Sequence, residues 1–252
     1  MAARWIVSWP GAGLAWSADL TDFPWLRENL EVACFDMDGT LLNSGVFGVL
    51  AITRAFEKLI AAGRLPGLAC PPQPEAIRAQ IGKPPAVFYK DLLPPALQER
   101  AHELHKQTTA NELAALADGS GGLFEGTLEV LETLRSSGLR LMLVSNCSQQ
   151  YLDGVVSTFR LGRWFEYAHC VGDHPPPSRT KSSLVATGLK QLGVKRGVMV
   201  GDRIHDGEAA EANSLWFVGC TYGYGKTEEF AHASALIDDI RRLPEVLGAK
   251  HA

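Results

Sequence analysis

Asp36 and Asp38 sit two residues apart in the stretch 32–44, VACFDMDGTLLNS, directly after four residues able to build a strand, Val32 to Phe35. In a strand that spacing puts both side chains on one face, and a buried face does not accept two bare carboxylates without a charged partner or a metal. The pair therefore belongs where the strand ends and the chain opens into a loop, with Gly39 allowing a sharp exit. Taken alone, the pattern also fits an acidic helix N-cap. The chemistry two such acids permit is phosphoryl transfer through the protein. One carboxylate attacks phosphorus to form an acyl phosphate, while the other protonates the leaving alcohol and then activates water. Both repel a phosphate dianion, so this chemistry calls for a divalent cation between them.

Further polar residues stand at the ends of other apolar runs. Ser145 and Asn146 follow the run Leu139 to Val144 and precede a helix expected near Gln149. A serine hydroxyl and backbone amides at such a turn can hold phosphate oxygens, or the pair can simply cap the helix. Lys181 opens a helix expected from Thr180, where the macrodipole disfavours a lysine unless an anion lies near. Arg179 is the neighbouring alternative. Asp202 and Asp206 flank RIH just after the strand predicted for Gly197 to Val200, spaced to cap a helix or to serve together in a site.

Strands must deliver these residues. The expected ones are Val32 to Phe35, Leu139 to Val144, 167–171, Gly197 to Val200 and Leu215 to Cys220, alternating with helices at Thr127 to Ser137, near Gln149 and from Thr180. Near-continuous apolar runs of this kind suit a parallel sheet covered on both faces, whose ligands bind beyond the strands' carboxyl ends. Residues 226–247 read as helix, turn, helix, packing through Leu236, Ile237, Ile240, Leu243 and Leu247. Between the first two strands lies a helical stretch: a loose stripe over 46–62, a proline-broken segment, and an amphipathic, charged helix from Ala96 to Leu116. Within it Gly82 and Lys83 read equally as a surface turn or a substrate-facing loop, and His102 and His105 as a solvated helix face rather than a metal pair.

Composition narrows the classes. A hydrophobic share of 46%, a charged share of 21% and a net charge of −4 describe an ordinary globular chain without the basic surface that nucleic acid requires. No apolar stretch is long enough to span a bilayer, so no membrane partner is expected. Five scattered cysteines favour reduced thiols in a cytoplasm, with Cys34 and Cys220 as small buried hydrophobes. Residues 1–30 hold four of the six tryptophans beside Pro10 and Pro24, with no clear period. They read as an extension packed on the core; a secretory signal is a weaker fit because Pro10 and its glycines break the apolar run.

Taken together, D-x-D-G-T at 36–40, Ser145, Lys181 and the G-D-x-x-x-D at 201–206 resemble, in order, the four motifs of the haloacid dehalogenase-like hydrolase superfamily. The resemblance is to its phosphoglycolate phosphatase-like branch, with a helical cap inserted after the first motif. It implies an α/β fold, a Rossmann-like parallel sheet core with helices on both faces plus an all-helical cap. The expected division is an extension at 1–30, a core at 31–43 and 124–252, and a cap at 44–123. The resemblance also implies a Mg²⁺-dependent phosphatase acting on a small phosphorylated metabolite, phosphoglycolate-like or a sugar phosphate, as a monomer or homodimer. Asp36 would be the nucleophile and Asp38 the acid and base, oriented by Thr40. Thr40, Ser145, Asn146 and Lys181 would serve the phosphoryl group. Asp36, Asp38 through its carbonyl, and Asp202 would bind the metal, with Asp206 an anchor behind them or a ligand through water. His205 has no implied part. The alternatives are a β-phosphoglucomutase-like phosphotransferase, a phosphonate hydrolase needing a Schiff-base lysine, and a non-catalytic phosphate-binding module.

Overall fold

The computed structural model of the protein describes residues 5–9, 12–17, 30–172 and 179–249, the first two segments as backbone strands only. In chain order the elements are β1 (Trp5–Trp9), β2 (Ala12–Ser17), β3 (Val32–Phe35), α1 (Gly48–Ala61), α2 (Pro74–Arg78), α3 (Pro85–Asp91), α4 (Ala101–Ala117) and α5 (Thr127–Ser136). There follow β4 (Arg140–Ser145), α6 (Gln149–Thr158), β5 (Phe165–Cys170), α7 (Lys181–Leu192), β6 (Gly197–Gly201), α8 (Ile204–Ala212), β7 (Trp216–Cys220), β8 (Ala235–Ile237) and α9 (Leu243–Val246).

The sheet runs β2-β1-β8-β7-β6-β3-β4-β5. Its six strands from β8 to β5 are parallel, and the β1–β2 hairpin joins antiparallel at β8. Alternate residues of each strand feed opposite faces, which is why the central strands β3 and β6 and most of β4 are apolar, while β5 at the edge carries Glu166 and His169. Ala33, Phe35, Leu141, Leu143, Val198 and Val200 pack with α5, α6 and α9. Val32, Cys34, Met142, Val144 and Met199 pack with α7 and α8. The segment between β3 and α5 carries an apolar core of its own, in which Phe56, Ile77, Phe88 and Leu104 are buried.

Two local expectations need correction, and one stretch left unassigned gains structure. Ala235–Ile237, read as part of a helix, is a strand paired parallel to β7; three residues are too few to display a period. The proline-broken segment contains α2 and α3, because Pro74 and Pro85 occupy first-turn positions, where a missing N–H costs nothing. Within the stretch 1–30, where the sequence shows no clear period, Trp5–Trp9 and Ala12–Ser17 form β1 and β2. The expected packing of its tryptophans, and a proline-rich loop expected from the sequence over 172–178, lie outside the described side chains except for Gly172.

Candidate active site

β3 sits between β6 and β4, with Phe35 opposite Val200 on one side and Leu143 on the other. The residues that leave these three strands at their carboxyl ends are therefore neighbours. Asp36 follows β3, Ser145 ends β4, and Asp202 follows β6. Asp36 N–H donates to the Val200 carbonyl (2.9 Å), which carries the ladder one step past the strand.

Lys181 joins this group from the first position of α7. Thr180 caps the helix and Ser183 reciprocates, so the backbone there is fixed. The lysine at the positive end of a helix has its anions: Nζ lies 2.8 Å from Asp36 Oδ1 and 2.7 Å from Asp206 Oδ1. The alternative Arg179 instead lies near Tyr167 and His169. Burial alone would lower the Lys181 ammonium, but Asp206 and Asp36 outweigh it and hold the group well above its usual value.

Ligand atoms of Asp36, Asp202 and Asp206 all lie within 4.8 Å of one another, and all three residues are buried. Three carboxylates against one ammonium leave a formal −2 in a site without water's dielectric. Burial first, then the Asp206 carboxylate, raises Asp36, and burial with Asp36 and Asp206 raises Asp202 well above the ordinary range. The oxygens divide into two sets. Asp206 is fully engaged, Oδ1 by Lys181 and Oδ2 by the Arg203 N–H (2.9 Å). Asp202 Oδ2 accepts from the Tyr224 N–H (2.6 Å). Asp36 Oδ2 and Asp202 Oδ1 are buried with no hydrogen-bond partner among the described residues. Buried acceptors of this kind demand a partner, and hard carboxylate oxygens with excess negative charge fit a small divalent cation.

Asp38 differs from the sequence expectation in its support. Tyr151 Oη donates to Asp38 Oδ1 (3.1 Å), and the Ser44 hydroxyl also bonds its carboxyl. Thr40 is fully buried with a hydroxyl lacking a partner among the described residues, and its carbonyl accepts from Tyr222 Oη (2.8 Å). The hydroxyls on Asp38 are thus those of Tyr151 and Ser44. Tyr151 lies in the first turn of α6, where side chains lean back toward the helix start, but nothing in the sequence marks it. Burial raises Asp38 against the pull of these two hydrogen bonds.

Ser145 and Asn146 are buried beside Asp36 and Asp38 on the wall of one cavity. The Ser145 hydroxyl accepts from the Cys147 N–H (3.2 Å), while Asn146 Nδ2 donates to the carbonyl of Gly82 (2.8 Å). Asn146 thus holds the helical segment. Gly82 is pinned from the other side by Arg203, whose guanidinium bonds the Ile81 carbonyl and pairs with Glu229 (3.0 Å). A left-handed φ of +91° and the close approach of Arg203 both require glycine at 82. Lys83 lines the cavity yet ion-pairs with Asp91 (2.7 Å). His102 is exposed, whereas His105 stacks on Tyr89 and reaches the cavity wall. His205 faces Glu208 (3.0 Å).

The chain belongs to the haloacid dehalogenase-like hydrolases, whose family model matches residues 30–213. It is 28% identical over 218 residues to the phosphoglycolate phosphatase of Pseudomonas putida, a match covering 83% of this chain and 76% of that protein. It is 30% identical over 233 residues to the tyrosine-protein kinase PtkA of Mycobacterium bovis, covering 88% and 74%. The fold is shared with CbbY of Rhodobacter sphaeroides, solved in complex with phosphate, at a TM-score of 0.70 and 20% identity over 87% of this chain and all of the other. Among the described residues no helix is long and apolar enough to cross a membrane.

Proposed function

We propose that the protein is a Mg²⁺-dependent phosphatase that hydrolyses a small phosphomonoester, phosphoglycolate-like or a sugar phosphate, through an aspartyl-phosphate on Asp36. The observation that carries this reading is the buried trio of acids around Lys181, with two orphaned oxygens on Asp36 and Asp202. The relatives named phosphoglycolate phosphatase support the reaction class. A carboxylate oxygen of Asp36 bonds to phosphorus as the bond to the leaving oxygen breaks, and Asp38 gives that oxygen its proton. Asp38, now a carboxylate, takes a proton from water; the water oxygen attacks phosphorus, the acyl bond breaks, and inorganic phosphate and Asp36 are released. Lys181 holds Asp36 in line and meets the phosphoryl oxygens with the Ser145 hydroxyl.

Asp36, Asp202 and the Asp38 carbonyl would hold the cation, with Asp206 fixing Lys181 and the loop behind them. Bound there, Mg²⁺ would offset the repulsion between the acids and the phosphate and polarise a phosphoryl oxygen. The segment 44–123 acts as the cap over a core of 31–43 and 124–252. Five free cysteines extend the reading to a cytoplasmic enzyme, monomer or homodimer.

The test is a phosphomonoester panel with and without Mg²⁺, run beside Asp36→Asn. The variant should lose about a thousandfold or more in kcat, and turnover near the parent's would remove the mechanism. An absolute need for a bisphosphate activator would instead indicate the phosphotransferase.

A further inference from the structure

The helical segment between β3 and α5 meets the rest of the molecule in two different ways. At its base the contact is apolar: Phe47 and Leu116 are buried in the core of the sheet, with Leu113 packed against it. Gly154 of α6 lets α4 come close there, since a Cβ on it would overlap Leu113. At the turn 81–82 the contact is polar. Asn146, after β4, donates to the Gly82 carbonyl, and Arg203, after β6, bonds the Ile81 carbonyl. Ile81 and Gly82 line the cavity that holds Asp36, Asp38 and Ser145, so whatever holds this turn sets one wall of the site. Helix α4 supplies another wall through His105, Thr109 and Glu112, the last a carboxyl that burial and the nearby Asp38 push up to about 8.

Arg203 reaches the turn from a fixed start. Its own N–H is bonded to Asp206 Oδ2 (2.9 Å), its side chain is 9% exposed, and its Nε is held by Glu229 (3.0 Å). Glu229 is seated in turn, with Oε2 accepting from the Ile204 N–H (2.9 Å) and Oε1 from the Lys226 N–H (3.1 Å). A guanidinium paired on one side keeps its other N–H groups for a carbonyl. The turn lies against the arginine stem, for a Cβ on Gly82 would come within 2.8 Å of Arg203 Cγ. The guanidinium does not line the cavity, so Arg203 acts on the site through the turn. The two attachments differ in strength. Water replaces the bonds to the Ile81 and Gly82 carbonyls at little net cost, whereas parting Phe47, Leu113 and Leu116 from the core exposes apolar surface. The turn is therefore the edge that lifts first. Held down, it leaves a space of about 70 Å³. An engineered apolar cavity that holds benzene has about 150 Å³, so a ring-bearing leaving group needs the turn to lift.

We propose that Arg203, oriented by Glu229, is a positioning residue that holds the turn 81–82 over the site and so restricts the protein to phosphomonoesters with a compact leaving group. The inference rests on the phosphatase reading and narrows its substrate class by size. Ethyl phosphate and 2-phenylethyl phosphate both release a primary alcohol and differ by one ring. Their kcat/KM values are compared with Mg²⁺ on the full chain, Arg203→Met and Glu229→Gln. The parent should favour ethyl phosphate by about tenfold or more. Arg203→Met, which keeps the stem and removes the guanidinium, should shrink that ratio about tenfold and raise KM for ethyl phosphate more than it lowers kcat. Glu229→Gln leaves the guanidinium but loosens its seat; it should move the ratio the same way by less, and it decides the matter if Arg203→Met does not fold. A general loss of folded enzyme cancels in the ratio and leaves KM unmoved. A parent that prefers 2-phenylethyl phosphate, or a ratio unmoved in the variant that decides, overturns the role of Arg203 and leaves the phosphatase intact. Turnover of other phosphomonoesters but of neither alkyl ester does the same, because bulk then does not govern entry. Absence of turnover on every phosphomonoester overturns both.

Discussion

Replacing Lys181 by Met removes the ammonium shared by Asp36 and Asp206 and takes the formal charge of the buried group from −2 to −3. Lys181 is 4% exposed, so water cannot take its place without opening the fold. Stripping one partner from a buried ion pair costs about 3–5 kcal/mol, because the acids left behind stay buried and uncompensated. The raised carboxyls of Asp36 and Asp202 can take up protons and relieve part of this, which favours the lower end. For 252 residues, an unfolding entropy of about 2.1 cal/mol/K per residue turns the cost into a fall in Tm of about 6–9 °C. The assay is thermal melting in EDTA of the parent, Lys181→Met, Asp206→Asn and the double variant. The double variant returns the charge to −2, so the cycle should show a coupling of about 1.5 kcal/mol or more. Added Mg²⁺ should shrink the deficit of Lys181→Met. If Lys181→Met melts within about 1 °C of the parent, or the coupling vanishes, the description of one ammonium balancing a dry acidic cluster is wrong.

Tyr151→Phe, which deletes the donor to Asp38, should lower kcat about tenfold, and Thr40→Val should change it less than about twofold; the reverse order in steady-state assays would restore Thr40 as the residue orienting Asp38. Between the ordinary carboxyl value of 4.5 and about 8, folded Glu112 keeps a proton that the unfolded chain has released, so its contribution to stability falls as pH rises through that window. Relative to the parent, Glu112→Gln should therefore gain in Tm from about pH 5 to about pH 8 and level off above; a difference that is flat with pH would contradict this. A Cβ at residue 225 would overlap the Asp202 carbonyl and come within 3.1 Å of Phe230. Gly225→Ala should therefore cost about 1–3 kcal/mol in urea denaturation, and a midpoint equal to the parent's would refute the close packing.

The parallel core was legible because buried parallel strands are apolar without alternation, as in Leu141 to Val144, and the three central ones run into Asp36, Ser145 and Asp202, residues that a buried apolar strand does not hold unpaired. That same contrast brings Asp36, Ser145 and Asp202 into one neighbourhood, since strand order converts sequence distance into adjacency. Three short elements escaped: β8 is too short to show a period, and α2 and α3 begin on prolines that also signal breaks. Tyr151 and Glu112 escaped for a different reason. Each arrives from an element whose pattern is set by something else, and only tertiary packing aims it at the acids. Asn146 carried a signal for the right place, but its amide serves the Gly82 carbonyl rather than standing open.

Tyr224 ties the loop after β7 to the point where the chain enters the helical segment. Its N–H holds Asp202 Oδ2 at 2.6 Å, while its hydroxyl, at the other end of the ring, accepts from the N–H of Gly45 (2.5 Å). Residues 43–47 are where the chain leaves the sheet for the helices above, and any Cβ at 45 would collide with the same ring. One aromatic ring thus couples the carboxylate of Asp202 to the entry of the helical segment, so that a change in the path of residues 43–47 is felt at Asp202 through two hydrogen bonds.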